Sequence, residues 1–141
     1  MSQENVELAR RGYAALNAAY KRGEVNDLLP FAEELWDPDI VLRGTGTVLS
    51  GGEEWHGHGG VLRFTASQME AFQQMSLEPL EFIDAGDQLV VPVQFGGRAG
   101  HTGIEIEFRA THVFTIHDGK VTRMDIYESK AAALEAVGLR E

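Results

Sequence analysis

Cysteine is absent from the 141 residues, which excludes disulfides and thiolate metal ligands and leaves the redox compartment open. Long apolar runs are missing as well. No stretch approaches the ~20 residues of a membrane-spanning helix. The opening Met1-Ser2-Gln3-Glu4 is polar, with neither a basic start nor an apolar run behind it, so a cytoplasmic protein is expected. Positive charge is scarce. Twelve Lys and Arg against 22 Asp and Glu give a net charge of −10, which argues against nucleic acid or an anionic membrane as partner. Repeats, low-complexity tracts and linkers are also lacking. One domain spanning 1–141 is therefore expected, long enough to bury a real core.

What is present centres on Ile104 to Glu128. From Ile104 to His117 apolar and polar residues alternate with a period of two, the mark of a half-buried strand. Ile104, Ile106, Phe108, Ala110, His112, Phe114 and Ile116 share one face. Asp118-Gly119 supplies the positive φ angles of a two-residue hairpin turn, which pairs His117 with Lys120. A regular ladder from that turn sets Phe114 opposite Arg123, His112 opposite Asp125 and Ala110 opposite Tyr127, all on the apolar face. Such groups are costly to bury unless paired or wet, roughly 2–7 kcal/mol for even a neutral polar group. A histidine, a carboxylate and an arginine on an inner face are thus the chemistry this sequence offers.

The remaining elements follow from punctuation and periodicity. A helix from Ser2, as its cap, to Arg22 buries Val6, Ala9, Tyr13, Leu16 and Tyr20 and stops at Gly23. A second helix covers Asn26 to Trp36, with Pro30 tolerated in its first turn, before Asp37-Pro38-Asp39 breaks it. Ile40 to Arg43 reads as a short strand. Residues 44 to 60 hold seven glycines and read as a mobile loop with a short strand near Trp55. A third helix from Gly59 to Met75 buries Leu62, Ala66, Met69 and Phe72. Strands at Leu77 to Ile83 and Gln88 to Phe95 place Leu80, Phe82, Leu89, Val91, Val93 and Phe95 on one face. Gly96 to Gly100 forms a loop. Ser129 caps a closing helix of Lys130 to Val137, ended by Gly138. The resulting class is α+β, a cone-shaped roll or barrel with a curved antiparallel sheet wrapped against three helices, enclosing a cavity.

This order resembles the SnoaL-like branch of the nuclear-transport-factor-2-like superfamily. The resemblance is carried by Glu4-Asn5-Val6-Glu7, Tyr13-Ala14-Ala15-Leu16-Asn17, Asp37-Pro38-Asp39 and Gly57-His58-Gly59-Gly60. It continues through Glu81 to Asp87, His112-Val113-Phe114-Thr115 and Asp118-Gly119-Lys120-Val121, so it spans nearly the whole chain. The fold hosts cyclases, isomerases, hydrolases, dehydratases and non-catalytic domains. Ketosteroid isomerases use a first-helix tyrosine, a first-strand aspartate base and an aspartate before the central-strand histidine. Here Tyr13 is displaced by one position, Arg43 stands at the base and Thr111 precedes His112. Limonene-type epoxide hydrolases need an Arg-x-Asp that Leu89 to Phe95 lack. Polyketide cyclases use a last-strand aspartate as acid/base, to which Asp125 corresponds.

Two functional classes follow. In one, the protein is a cofactor-independent enzyme performing cyclisation, isomerisation or hydration on a largely apolar, cyclic or polyketide-like molecule. Asp125 and His112 then move protons while Arg123 steadies negative charge. In the other, it is a non-catalytic ligand-binding or dimerisation domain, and the same residues fix the sheet register. Tyr13, Trp36, Trp55, His58, Phe108, Phe114 and Tyr127 are the candidate ligand contacts. His58 is placed near the cavity mouth by the resemblance, while aromatic residues at such spacing are more often plain core. His56-Gly57-His58 falls short of the three or four ligands of a zinc site. Neither a metal nor an organic cofactor is expected, since no dinucleotide fingerprint or three-histidine motif occurs. The resemblance implies a homodimer through the outer face of the long strands, where Val113, Met124 and Ile126 are expected among threonines and charges.

Overall fold

A computed structural model describes residues 2–44 and 52–139. Helix α1, Ser2–Arg22, is followed by a 3₁₀ turn, Val25–Leu28, and the short helix α2, Leu29–Leu35, with Pro30 in its first turn. Strands β1 (Trp36–Gly44) and β2 (Glu54–His56) precede helix α3, Gly57–Ala71. Then come β3 (Phe72–Pro79), β4 (Ile83–Ala85), β5 (Gln88–Ala99), β6 (Glu105–His117) and β7 (Lys120–Tyr127). Helix α4, Lys130–Ala136, closes the described chain, and Ser129 Oγ accepts from Ala132 N at 3.1 Å as its cap. The expected cap at Ser2 rests on a side chain outside the description, and the central part of the glycine-rich segment, 45–51, also lies outside it.

The seven strands form one curved, unclosed sheet in the order β2-β1-β7-β6-β5-β3, with β4 on β5. The architecture is α+β, as expected. Its pairs are antiparallel except β1 with β7, which run parallel. One face of the sheet packs on α1 and α3 around a core of Leu42, Val91, Val93, Phe95, Ala110, Ile116 and Ile126. On the other face α4 covers Val90 and Val113 with Ala133 and Leu134.

Three sequence expectations shift, each because tertiary packing outweighs local propensity. Helix α3 ends at Ala71 rather than Met75, because Phe72 pairs with Ala99 across the sheet and sets its ring 5.2 Å from that of Phe95. Its fully buried face is Val61, Phe64 and Thr65; Met69 packs partly buried against the core as expected, while Leu62 and Ala66 are only partly buried. Strand β3 carries an irregularity after Gln73, with Gln74 at φ +54°, so Met75 and Leu77 turn inward while Leu80 is exposed. The expected loop from Gly96 is instead the end of β5. At Gly97 a Cβ would meet the Phe95 ring at 3.3 Å, so a residue without one lets the strand continue.

The decisive shift lies in the β6–β7 hairpin. His117 pairs with Lys120 and Ile116 with Val121, as expected from the turn, and Asp118 adopts φ +51°. The next pair is Thr115 with Arg123, which leaves Thr122 as an extra residue on β7. Its hydroxyl donates to the Thr115 carbonyl at 3.2 Å. Beyond this bulge Phe114 faces Met124, Val113 faces Asp125 and His112 faces Ile126. The regular register, and with it the His112–Asp125 pair, is therefore corrected. A single extra residue exchanges the faces of everything after it. Burial selects that outcome, since Met124 and Ile126 enter the core side while Arg123 and Asp125 leave it.

Candidate functional site

Helix α1 and the middle of β6 bring the central pair together. Asn17 locks α1 to β3, because its Nδ2 donates to the Leu77 carbonyl at 2.8 Å and its Oδ1 accepts from Leu77 N at 2.9 Å. One turn earlier on the same helical face, Tyr13 reaches across the core to His112. Its Oη lies 2.7 Å from His112 Nδ1. The two rings stack at 5.8 Å and 8°, and Phe114 meets both edge-on. Tyr13 is 5% exposed and His112 1%. Burial lowers the His112 pKa from 6.5 to about 3, and burial followed by Tyr20 raises that of Tyr13 well above its usual value. Both groups are uncharged at neutral pH.

This pair sits in the wall of a cavity of about 100 Å³ between the helices and the sheet. Leu16, Phe31, Trp36, Leu42, Val61 and Met124 supply much of the apolar surface. The polar side chains around it are Tyr13, Tyr20, Thr65, Gln68 and His112, and no Asp, Glu, Lys or Arg is among the described lining residues. The Thr65 hydroxyl is spent on the Val61 carbonyl one turn back, at 3.0 Å. An apolar chamber with few polar groups is the usual form of a small-molecule site.

Of the residues singled out from sequence, Tyr13, Trp36, His112 and Phe114 line this cavity. Asp125 and Arg123 do not. Arg43 Nε donates to Asp125 Oδ1 at 3.0 Å, and Arg123 Nε to Oδ2 at 3.0 Å and Oδ1 at 3.2 Å. The carboxylate is 5% exposed and lies on the α4 side of the sheet, opposite Val113. Its charge raises the Arg43 pKa, and Tyr127 stands beside the same guanidinium. Phe108 stacks on Phe95 at 4.7 Å, away from the chamber. Trp55 packs edge-on to Phe64, and its Nε1 has no hydrogen-bond partner among the described residues. His58 acts one step removed. Its Nε2–H donates to the Trp36 carbonyl at 3.0 Å and its ring meets the indole edge-on, so it props a wall residue. His56 is exposed beside Glu54. Among the described residues no cluster of His, Cys, Asp and Glu could hold a metal ion.

Asn17, Thr65 and Gln68 are the site residues that pattern reading passed over. The Tyr13-x-x-x-Asn17 spacing was the available signal, since it sets two polar groups on an otherwise apolar helical stripe.

An open α+β sheet folded over helices, with no Asp, Glu, Lys or Arg among the described residues that line the chamber, is the architecture the residues build. The model of the SnoaL-like domain matches residues 9–124, and the chain belongs to that family. No curated protein matches the sequence. Among solved structures, TerC co-crystallised with polyporic acid is 25% identical with a TM-score of 0.67, covering 95% of this chain and 98% of its own. A nuclear-transport-factor-2-like protein from Burkholderia xenovorans is 26% identical, covers 98% of both chains and has a TM-score of 0.68. A candidate SnoaL-like polyketide cyclase from Jannaschia is 17% identical with a TM-score of 0.72, covering 99% of this chain and 95% of its own. That last likeness is one of fold.

Proposed function

We propose that this protein binds a compact, largely apolar ring compound of polyketide-like or terpenoid-like character in the chamber, with Tyr13 and His112 as its polar contacts. The observation that carries the reading is a largely apolar cavity with no Asp, Glu, Lys or Arg among its described lining residues, into whose wall a buried tyrosine–histidine pair is set. The TerC co-crystal with polyporic acid supports a small organic ligand. Without a carboxylate in the chamber, the proton-moving role expected of Asp125 has no support from its position. Any cofactor-independent isomerisation or cyclisation would pass through His112, a neutral imidazole able to accept or lend a proton. Ligand binding without turnover is the reading we favour, because no carboxylate is among the described lining residues and burial holds His112 uncharged.

Saturable binding of methylcyclohexane, followed through the fluorescence of Trp36 on the cavity wall, tests this. Val61→Phe, which fills the chamber, should abolish it. Failure of the unmodified protein to bind any small ring hydrocarbon would overturn the proposal. Conversion of a bound substrate into a product with a different chromatographic retention and proton spectrum, whether or not its mass changes, would favour the enzyme over the binding protein.

The proposal extends to a cytoplasmic homodimer that pairs through the outer sheet face, on the strength of the family. Met124 and Ile126 do not contribute there, since the bulge turns them inward. The face that remains offers Val41, Arg43, Thr115 and Arg123. A single 15.5 kDa species in light scattering at micromolar concentration would contradict it.

A further inference from the structure

The tyrosine–histidine contact has a direction. A phenol carries one proton, and Tyr13 Oη has His112 Nδ1 as its hydrogen-bond partner among the described residues. Either imidazole tautomer leaves one donor without an acceptor among the described residues, the phenol proton or Nε2–H, so donor and acceptor strength set the direction. A phenol O–H is a more acidic donor than a neutral imidazole N–H, and the in-plane lone pair of Nδ1 is a better acceptor than a phenol oxygen. Tyr13 therefore donates to Nδ1, and the imidazole carries its proton on Nε2. That Nε2–H meets no protein acceptor among the described residues, although His112 is 1% exposed and lines the chamber. An imidazole N–H in a residue of the cavity wall, without an acceptor among the described residues, is a position for a ligand atom to fill.

The same surroundings limit what that atom can be. A carboxylate or phenolate entering the chamber would exchange water for largely apolar walls, with no Lys or Arg among the described lining residues, and a neutral donor does not offset that desolvation. An ammonium group would find no anion among the described lining residues. The geometry points to an uncharged ring compound carrying one carbonyl or ether oxygen, which accepts from His112 Nε2–H while Tyr13, as a positioning residue, holds the imidazole tautomer. This rests on the chamber being a binding site, as proposed above, and it names the chemistry of what binds.

The test begins with the protein alone. Long-range proton–nitrogen correlation spectra of histidine-labelled protein at neutral pH should show His112 protonated on Nε2 and bare on Nδ1. A proton on Nδ1 overturns the assignment. Titration with methylcyclohexane, cyclohexanone and cyclohexanecarboxylate follows. Cyclohexanone should bind roughly fivefold or more tighter than the hydrocarbon, as one net hydrogen bond gives, and should move the Nε2 proton resonance downfield. The carboxylate should not compete. In Tyr13→Phe the ratio of the two affinities should fall toward one, as the tautomers mix. His112→Met, which keeps an apolar wall, should erase the preference if the first variant does not fold. Equal affinities for ketone and hydrocarbon in the unmodified protein would overturn the ligand class while leaving the cavity reading intact. If no ring compound enters, the cavity reading fails and this inference with it.

Discussion

The two faces of strands β6 and β7 treat polar groups in opposite ways. On the inner face, His112 and Tyr13 are almost fully buried, uncharged and joined by one hydrogen bond. On the outer face, Asp125 is equally buried but stays within reach of two guanidinium groups, at 3.0 Å each. The arginine side chains there remain over a third exposed, at 39% and 36%. Water therefore still reaches the positive partners of the carboxylate, whereas no described residue lining the chamber would balance a charge. An ion is tolerated where its counterions are hydrated, and a neutral pair is what an apolar cavity accepts. Neighbouring residues of one strand meet these two environments only because side chains alternate, so the register of a single hairpin sorts the chemistry of the protein.

The most damaging way to break that contrast is to move the carboxylate inward. Ile126→Asp places it opposite His112, where a regular hairpin would have put Asp125. A loss of more than about 4 kcal/mol, or no folding, is expected in urea denaturation. A stable fold with His112 protonated at neutral pH would show that the chamber accepts an ion pair.

Acidification probes the neutral side of the contrast. His112 has a folded-state pKa of about 3 against 6.5 when unfolded. Its contribution is complete above pH 6.5. As the pH falls from there toward 3, the unfolded chain takes up a proton that the folded chain refuses. Stability should fall by at most about 1.4 kcal/mol per pH unit across that window. The slope of unfolding free energy against pH, compared with that of His112→Gln, isolates this histidine. Identical slopes would mean that it is not buried neutral.

Asp125→Asn tests the charged side. Removing the charge leaves Arg43 and Arg123 without their anion, and solvent around both arginines moderates the effect to roughly 1–3 kcal/mol. Affinity for ring compounds should not change, because Asp125 is not in the cavity wall. A loss of ligand affinity or turnover without a shift in thermal midpoint would restore the catalytic role that the sequence suggested for it.

Deletion of Thr122 is expected to matter least. Without the extra residue a regular ladder still sets Arg123 opposite Thr115 and Ile126 opposite His112, so every face keeps its residues. A loss of no more than about 1–2 kcal/mol in thermal melting is expected. A collapse of the fold would show that the kink of the bulge, rather than burial, shapes the sheet.

Much of this was legible in the residues. The period of two read from Ile104 to His117, the Asp118-Gly119 turn, the apolar stripe of α1 and the Ser129 cap are local signals, and each stands in the structure except at Ile104, which is exposed just before the strand begins at Glu105. The inward direction of His112 was legible for the same reason, since it shares a face with Phe114 and Ile116. Its partner was not. Thr122 carries no mark that distinguishes a bulge from a regular strand residue, and the irregularity in β3 at Gln74 is equally silent. Tyr13 was legible as a buried residue of the first helix and a candidate contact, but its bond to His112 spans 99 positions of chain.

The sequence by itself determined the α+β class, the single long hairpin and its turn, the order of the elements and the excess of acidic over basic residues. Those properties depend on spacing, composition and turn chemistry within a few residues of each other. Only the tertiary structure decided that His112 meets Tyr13 rather than Asp125, and that two arginines hold the carboxylate on the far face. The physical reason is that a strand can absorb one extra residue at small local cost, whereas turning an arginine and a carboxylate into an apolar core costs several kcal/mol. Which of those terms wins is settled across the whole packed sheet.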